Sequence, residues 1–313
     1  MHNQNGINTG GMSWLGFELN VLRRLKFQSV ALPLAGEPHL GQYLKRLNVS
    51  VAANDPAEWA WTKSTVFIEN NSEVLTEVDI DQVLADAYVP ANYFKNATLL
   101  SWFNETDAWW FDNVRANAEK LQSPYKRALA LALGMAVGDY VFSFNLETRD
   151  LRQPLSLSNV FRRLWKALPL PVDNRRRNKS TNAPVRSFVA ETFDTDLLFL
   201  RLPHPPRATD SRNARVLSWR EEWLKQTRTT RDNGHVRLAA PVETKEQYLK
   251  LVEDLLHIAA HVPTWAIAGI SDGFISTDEL VECVGDARKI DAVYTKDFSE
   301  LLGLKAVIIT AGA

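Results

Sequence analysis

Cations crowd one stretch of this sequence. Arg162, Arg163 and Lys166 lie on one face of a segment with helical apolar spacing, and Arg175, Arg176, Arg177 and Lys179 follow in a run of Pro, Asn and Ser. Clustered guanidinium and ammonium groups are what phosphate contacts require. The seven residues are therefore DNA-binding candidates, against the plainer reading of a solvated charge run. From Asp150 to Arg237 there are 18 Lys/Arg against 9 Asp/Glu, although the whole chain carries a net charge of −1. This regional excess favours the nucleic-acid reading. His257 and His261 stand four apart on a predicted helix with Glu253 one turn earlier, but they lack a third ligand, so a polar helix face is expected and no metal. The single cysteine, Cys283, excludes an intramolecular disulfide, a Cys-x-x-Cys pair and a two-thiolate zinc site, and suits a reducing, cytoplasmic setting. Trp109-Trp110, Trp219 and Trp223 have the rings to stack on bases, yet among ten tryptophans they are expected as core and interface anchors.

A scaffold must position these groups. With 313 residues, 45% hydrophobic and 23% charged, the composition is that of a globular protein with room for one large domain or two modest ones. The first residues lack the basic start and apolar run of a secretion signal, and the longest apolar tract, Ala128 to Val137, is about half the ~20 residues of a membrane span. No membrane partner is expected.

Helical spacing runs from Ser13 to Leu25 and from Leu40 to Leu47, and short apolar runs at Ser29–Leu34 and Val49–Ala53 read as buried strands, which together make a βαβ unit. Asp55 stands ready to cap a helix that begins at Pro56. From about Ser72 to Lys166 helix-period spacing persists without strand alternation. Strand-like sequence resumes at Asp196–Arg201, Trp265–Ile270, Ile290–Tyr294 and Lys305–Thr310, and Ser276 with Glu279 forms a capping-box pattern between them. The expected fold is α/β, a doubly wound, mostly parallel sheet with a helical insertion. Its core is expected over 1–71 and 188–313, with the insertion over 72–187.

Short segments punctuate this order. Thr9-Gly10-Gly11-Met12 precedes the first helix, Leu34-Ala35-Gly36-Glu37-Pro38 follows the first strand, and Asn54-Asp55 ends the second. Arg201-Leu202-Pro203-His204 follows the strand at Asp196, and Ser271-Asp272-Gly273-Phe274-Ile275 a later one. In this sequence they resemble the Gly-Gly-Lys segment, the Phe-x-Gly-x-Gly loop, the Asn-Asp pair, the Asp-Pro-Pro-Tyr motif and a late turn of the adenine-specific DNA methyltransferases of the Dam-like class. The resemblance covers almost the full chain and implies a class I methyltransferase-like core, a target-recognition-like insertion, S-adenosylmethionine as cofactor and DNA as partner. It assigns Gly10, Gly11, Ala35, Gly36 and Asp55 to the cofactor, Asp55 by accepting ribose hydroxyls, and makes Arg201, Leu202, Pro203 and His204 the catalytic position.

The matches depart from the family where chemistry matters most. Pro38 removes an amide donor and Glu37 brings a carboxylate toward the cofactor's own, so S-adenosylmethionine binding should suffer. Methyl transfer to an exocyclic amine needs acceptors that hold the amine, and Arg201 is donor-only, always charged, and would sit beside a cationic sulfonium. His204 retains the ability to stack on an extruded base, and a shifted register, His204-Pro205-Pro206-Arg207, would offer a neutral imidazole as acceptor. For Asp55, capping and ribose binding both stand open. The expectation is a catalytically degenerate homologue that acts in DNA binding or as a partner subunit; the alternative is an active enzyme with a non-standard motif.

Overall fold

The computed structural model describes residues 9–144, 148, 151, 155–203, 211–227, 242, 244–271, 274–298 and 305–312. The chain opens with α1 (Thr9–Leu22), β1 (Ser29–Leu32), α2 (His39–Arg46), β2 (Ser50–Asn54) and α3 (Glu58–Ser64), which passes into a π-helical turn at Thr65–Glu69. Next come α4 (Glu77–Leu84), α5 (Glu105–Ala118), α6 (Pro124–Ser143) and α7 (Leu157–Lys166). β3 (Lys179–Thr181), α8 (Val185–Ala190), β4 (Leu197–Arg201) and α9 (Ser211–Lys225) follow. The described chain closes with α10 (Lys245–Ile258), β5 (Thr264–Ser271), α11 (Thr277–Ala287), β6 (Ile290–Asp297) and β7 (Lys305–Gly312).

Local chemistry sets many of these boundaries. Thr76, Ser123, Ser156, Thr244 and Ser276 cap α4, α6, α7, α10 and α11, each accepting a backbone amide near the helix start. Pro124 then opens α6, where a missing amide costs nothing. The capping box at Ser276 and Glu279 forms as its spacing predicts.

The chain divides into two compact units. The first comprises 1–64, 174–206 and 232–313; the second comprises 65–173 and 207–231. The insertion expected over 72–187 compares with these bounds, and a second excursion from the first unit, carrying α9, has no counterpart in the sequence reading.

The first unit is α/β, built on a mixed seven-stranded sheet in the order β3-β2-β1-β4-β5-β7-β6. β1 to β5 pair in parallel, and β7 runs antiparallel between β5 and β6. β1, β4 and β7 are almost wholly buried apolar runs, as strands covered on both faces must be. On one face Phe188 and Val189 of α8, Val252 and Leu256 of α10, and Leu280 and Val284 of α11 pack against Leu198, Leu200, Ile267, Val307 and Ile309. Two helices on α/β connections, α1 and α2, bury Phe17, Val21, Leu22, Leu40 and Leu44.

The second unit is helical among its described residues. Its core is aromatic: Phe111 lies 5.4 Å from Trp219 and 5.9 Å from Trp223, ring centre to ring centre, in edge-on geometry. Trp219 and Trp223, four apart on α9, press into Gly138 and Gly134, four apart on α6. A Cβ on either glycine would come within 2.1 or 2.3 Å of an indole carbon. The stretch after Pro203, expected to be polar and basic, thus contains a helix, on which Trp219, Trp223 and Leu224 are buried. Among the described residues no helix is long and apolar enough to cross a membrane.

Candidate functional site

In an open parallel sheet, ligands bind beyond the carboxyl ends of the strands where the strand order reverses. Here the chain runs outward through β1, β2 and β3, then returns to β4 on the other side of β1, so the reversal lies between β1 and β4. Both strands deliver sequence-predicted residues to this point: Ala35 and Gly36 follow β1, and Arg201 ends β4. Asp55 follows β2, the next strand along.

Arg201 is turned onto Glu18 of α1. Its Nε donates to Glu18 Oε1 and its Nη2 to Glu18 Oε2, each at 2.8 Å, in a fork-to-fork pair. Glu18 is wholly buried, whereas the Arg201 side chain is 34% exposed. A third guanidinium nitrogen, Nη1, reaches the Ala35 carbonyl at 3.4 Å. The pair therefore ties the end of β4 to the loop after β1.

Asp55 is also wholly buried. Its Oδ2 accepts the Gly36 amide at 2.8 Å and its Oδ1 accepts the Ala57 amide at 2.9 Å, so one carboxylate holds the β1 loop and caps the start of the α3 segment. Gly36 adopts φ 57°, the left-handed region where glycine carries no Cβ penalty, and this turn aims its amide at Asp55. Neighbouring Asn54 donates to the carbonyls of Pro33 and Ala183 and accepts from Thr181 Oγ1 and the Ala183 amide. Glu37 is held by Lys63 of α3, whose Nζ lies 2.8 and 2.9 Å from its two oxygens.

Leu202 is buried, its amide donating to the Ala268 carbonyl at 2.8 Å, and the Pro203 carbonyl accepts from the Tyr248 hydroxyl at 3.0 Å. Leu202 lines a small cavity with Tyr248, Gly269, Ile270, Phe274, Ile275 and Leu280; it holds about 10 Å³, room for roughly one water. His204 lies outside the described residues, as do Pro205 to Arg207 of the shifted register and Asp272 and Gly273 of the late turn. Gly10 and Gly11 fall in the first turn of α1, where the sequence reading set them ahead of the helix.

The cations separate into two groups. In the second unit, Arg162 of α7 bonds Asp81 Oδ1 at 2.6 Å and approaches Glu77 Oε2 at 3.5 Å, while Arg163 and Lys166 are exposed. In the first unit, Arg175, Arg176, Arg177 and Lys179 are exposed on the loop that leads into β3, an edge strand.

His257 faces only Glu253, at 3.6 Å, and both His261 nitrogens contact carbonyls, those of Ile258 and Thr192. Among the described residues no three His, Cys, Asp or Glu side chains could hold a metal ion. Burial pushes the Cys283 thiol up to about 11, which keeps it protonated and inert at neutral pH.

Sequence reasoning missed Glu18 and Lys63, the partners of Arg201 and Glu37 beside this crevice. For Glu18 a signal existed: it lies four residues after Trp14 and four before Leu22, on the apolar stripe of α1, where a carboxylate requires a cation. Lys63, within Trp-Thr-Lys-Ser, gave none.

No protein-family profile matches the chain. Over 89 residues, 28% of its length, the chain is 34% identical to the type II methyltransferase M2.HphI of Haemophilus parahaemolyticus. The match spans about a quarter, 26%, of that protein. This partial similarity supports a methyltransferase relationship.

Proposed function

We propose that this protein is a catalytically degenerate relative of the Dam-like adenine DNA methyltransferases that acts by binding DNA, not by methylating it. The observation that carries the reading is Arg201 at the tip of β4, locked by two 2.8 Å bonds to buried Glu18. An acceptor of the amine is required there, and a guanidinium already committed to a carboxylate offers only donors.

The mixed sheet with its reversal between β1 and β4 and the partial identity to M2.HphI support the class I methyltransferase-like part of the reading. The helical second unit, 65–173 with 207–231, supports the reading of a target-recognition-like insertion. The residues around the crevice do not fit S-adenosylmethionine. The Gly36 amide is committed to Asp55, and Glu37, paired with Lys63, brings a carboxylate to the loop that the cofactor's methionine end would approach.

The test is a joint assay of the full chain with labelled S-adenosylmethionine and adenine-containing duplex DNA. The reading expects no methyl incorporation, together with retention on the duplex that falls steeply with salt. Incorporation that His204→Ala abolishes would establish an active enzyme with an unusual acceptor and overturn the reading.

A further inference from the structure

The loop from Asn174 to Asn178 is fixed far more firmly than a solvated charge run needs. Asn174 Nδ2 donates to the carbonyls of Lys45 and Val49 at 3.0 and 2.9 Å, anchoring the loop to the carboxyl end of α2 and the start of β2. Its Oδ1 accepts from the Arg176 amide and from Asn178 Nδ2. Asn178 Oδ1 accepts the Val51 amide at 3.1 Å, and Ser50 Oγ donates to the Arg177 carbonyl at 3.1 Å. Between these anchors Arg175 is held at φ 56°, a left-handed conformation that side chains other than glycine, asparagine and aspartate seldom adopt.

The result is an anchored loop backbone that carries like charges. The Asn174 bonds to Lys45 and Val49 bring the loop against the last turn of α2, which adds exposed Arg46 to Arg175, Arg176, Arg177 and Lys179. Among the described residues no carboxylate pairs with Arg46, Arg176, Arg177 or Lys179, in contrast to Arg162. Clustering Arg46, Arg176, Arg177 and Lys179, which no described carboxylate pairs, is unfavourable in the free protein and is relieved when an anion supplies charge.

We infer that this corner of the first unit, formed by the end of α2 and the edge of β3, is a preorganised phosphate-binding surface for the backbone of duplex DNA, with Arg46 as a contact residue. The inference rests on the DNA-binding reading and gives it a location. The surface offers exposed cations on an anchored backbone, which contact phosphates without reading base edges. Asn174 and Asn178 act as positioning residues.

The experiment measures the affinity of the full chain for a labelled duplex oligonucleotide across a salt series. The variant R46Q/R176Q/R177Q/K179Q is expected to bind at least about tenfold more weakly at low salt and to flatten the log–log salt slope by about 3 to 4. R176Q alone should flatten it by about one, a readout that survives if the quadruple variant misfolds. Asn174→Ala, with every cation retained, should weaken binding several-fold. If the wild-type chain binds the duplex and the quadruple variant, folded by circular dichroism, binds it equally with the same slope, this surface is excluded while the DNA-binding reading stands. If the wild-type chain ignores the duplex but binds polyglutamate through these four residues, the partner is an acidic protein and both proposals fail.

Discussion

Two charged regions of the first unit are built on opposite plans. Beyond the carboxyl ends of β1, β2 and β4, charges close on one another: Arg201 on Glu18, Lys63 on Glu37, and Asp55 on two backbone amides. At the β3 edge, Arg46, Arg176, Arg177 and Lys179 stand exposed without a described acid, although their backbone is just as firmly held. Groups whose charges are paired within the protein offer little net charge to a ligand, while exposed cations on an anchored backbone offer more. The contrast is the ground for proposing DNA binding at the edge of the sheet and not in the crevice where α/β folds ordinarily place a ligand.

The largest effect should come from opening the crevice. Arg201→Met leaves the buried Glu18 carboxylate without its partner and should destabilise the fold by about 3 kcal/mol, the low end for a broken buried pair because the guanidinium is partly exposed. Urea unfolding measures this, and adding Glu18→Leu should recover most of the loss. A loss below about 0.5 kcal/mol in the single variant would mean that the crevice charges are as loosely held as surface pairs. Next comes Asp55→Asn, whose amide cannot accept from both Gly36 and Ala57. It should cost about 1–3 kcal/mol by the same measurement.

The edge should behave in the reverse manner. Arg176→Gln and Arg177→Gln, both exposed, should each shift stability by no more than about 0.5 kcal/mol, and a larger loss would assign these cations to the fold itself. The smallest effect belongs to an exposed pair outside both regions. Lys245 and the Ser276 cap pull the Glu279 carboxyl down to about 2 from its ordinary 4.5. Because the folded value is the lower one, its contribution is complete above about pH 4.5 and is lost as pH falls through about 2. Glu279→Gln should therefore remove this contribution, small for an exposed pair, at neutral pH and flatten the acid limb of a stability–pH curve, so that variant and wild type converge below about pH 2.

Much of the first unit could be read from local pattern. The apolar runs in β1, β4, β5 and β7 and the caps at Asp55, Ser123 and Ser276 need only neighbours a few residues away to declare themselves. Two elements were not legible for the opposite reason. β3 is three residues long and exists because Lys179, Ser180 and Thr181 find Ala52, Ala53 and Asn54 across more than a hundred residues of chain. α9 hides its apolar side in Trp219 and Trp223, whose indoles are meaningful only beside Gly138 and Gly134 of α6. The crevice followed the same rule. That Arg201 is donor-only was plain from its identity; that Glu18 neutralises it, 183 positions away, required the fold.

The claim on which this account turns is that the crevice between β1 and β4 is closed by the protein's own groups. Equilibrium titration of the full chain with labelled S-adenosylmethionine tests it most directly. The closed crevice predicts no saturable binding into the millimolar range, whereas saturation at micromolar concentrations would show that Gly36 and Asp55 still receive the cofactor.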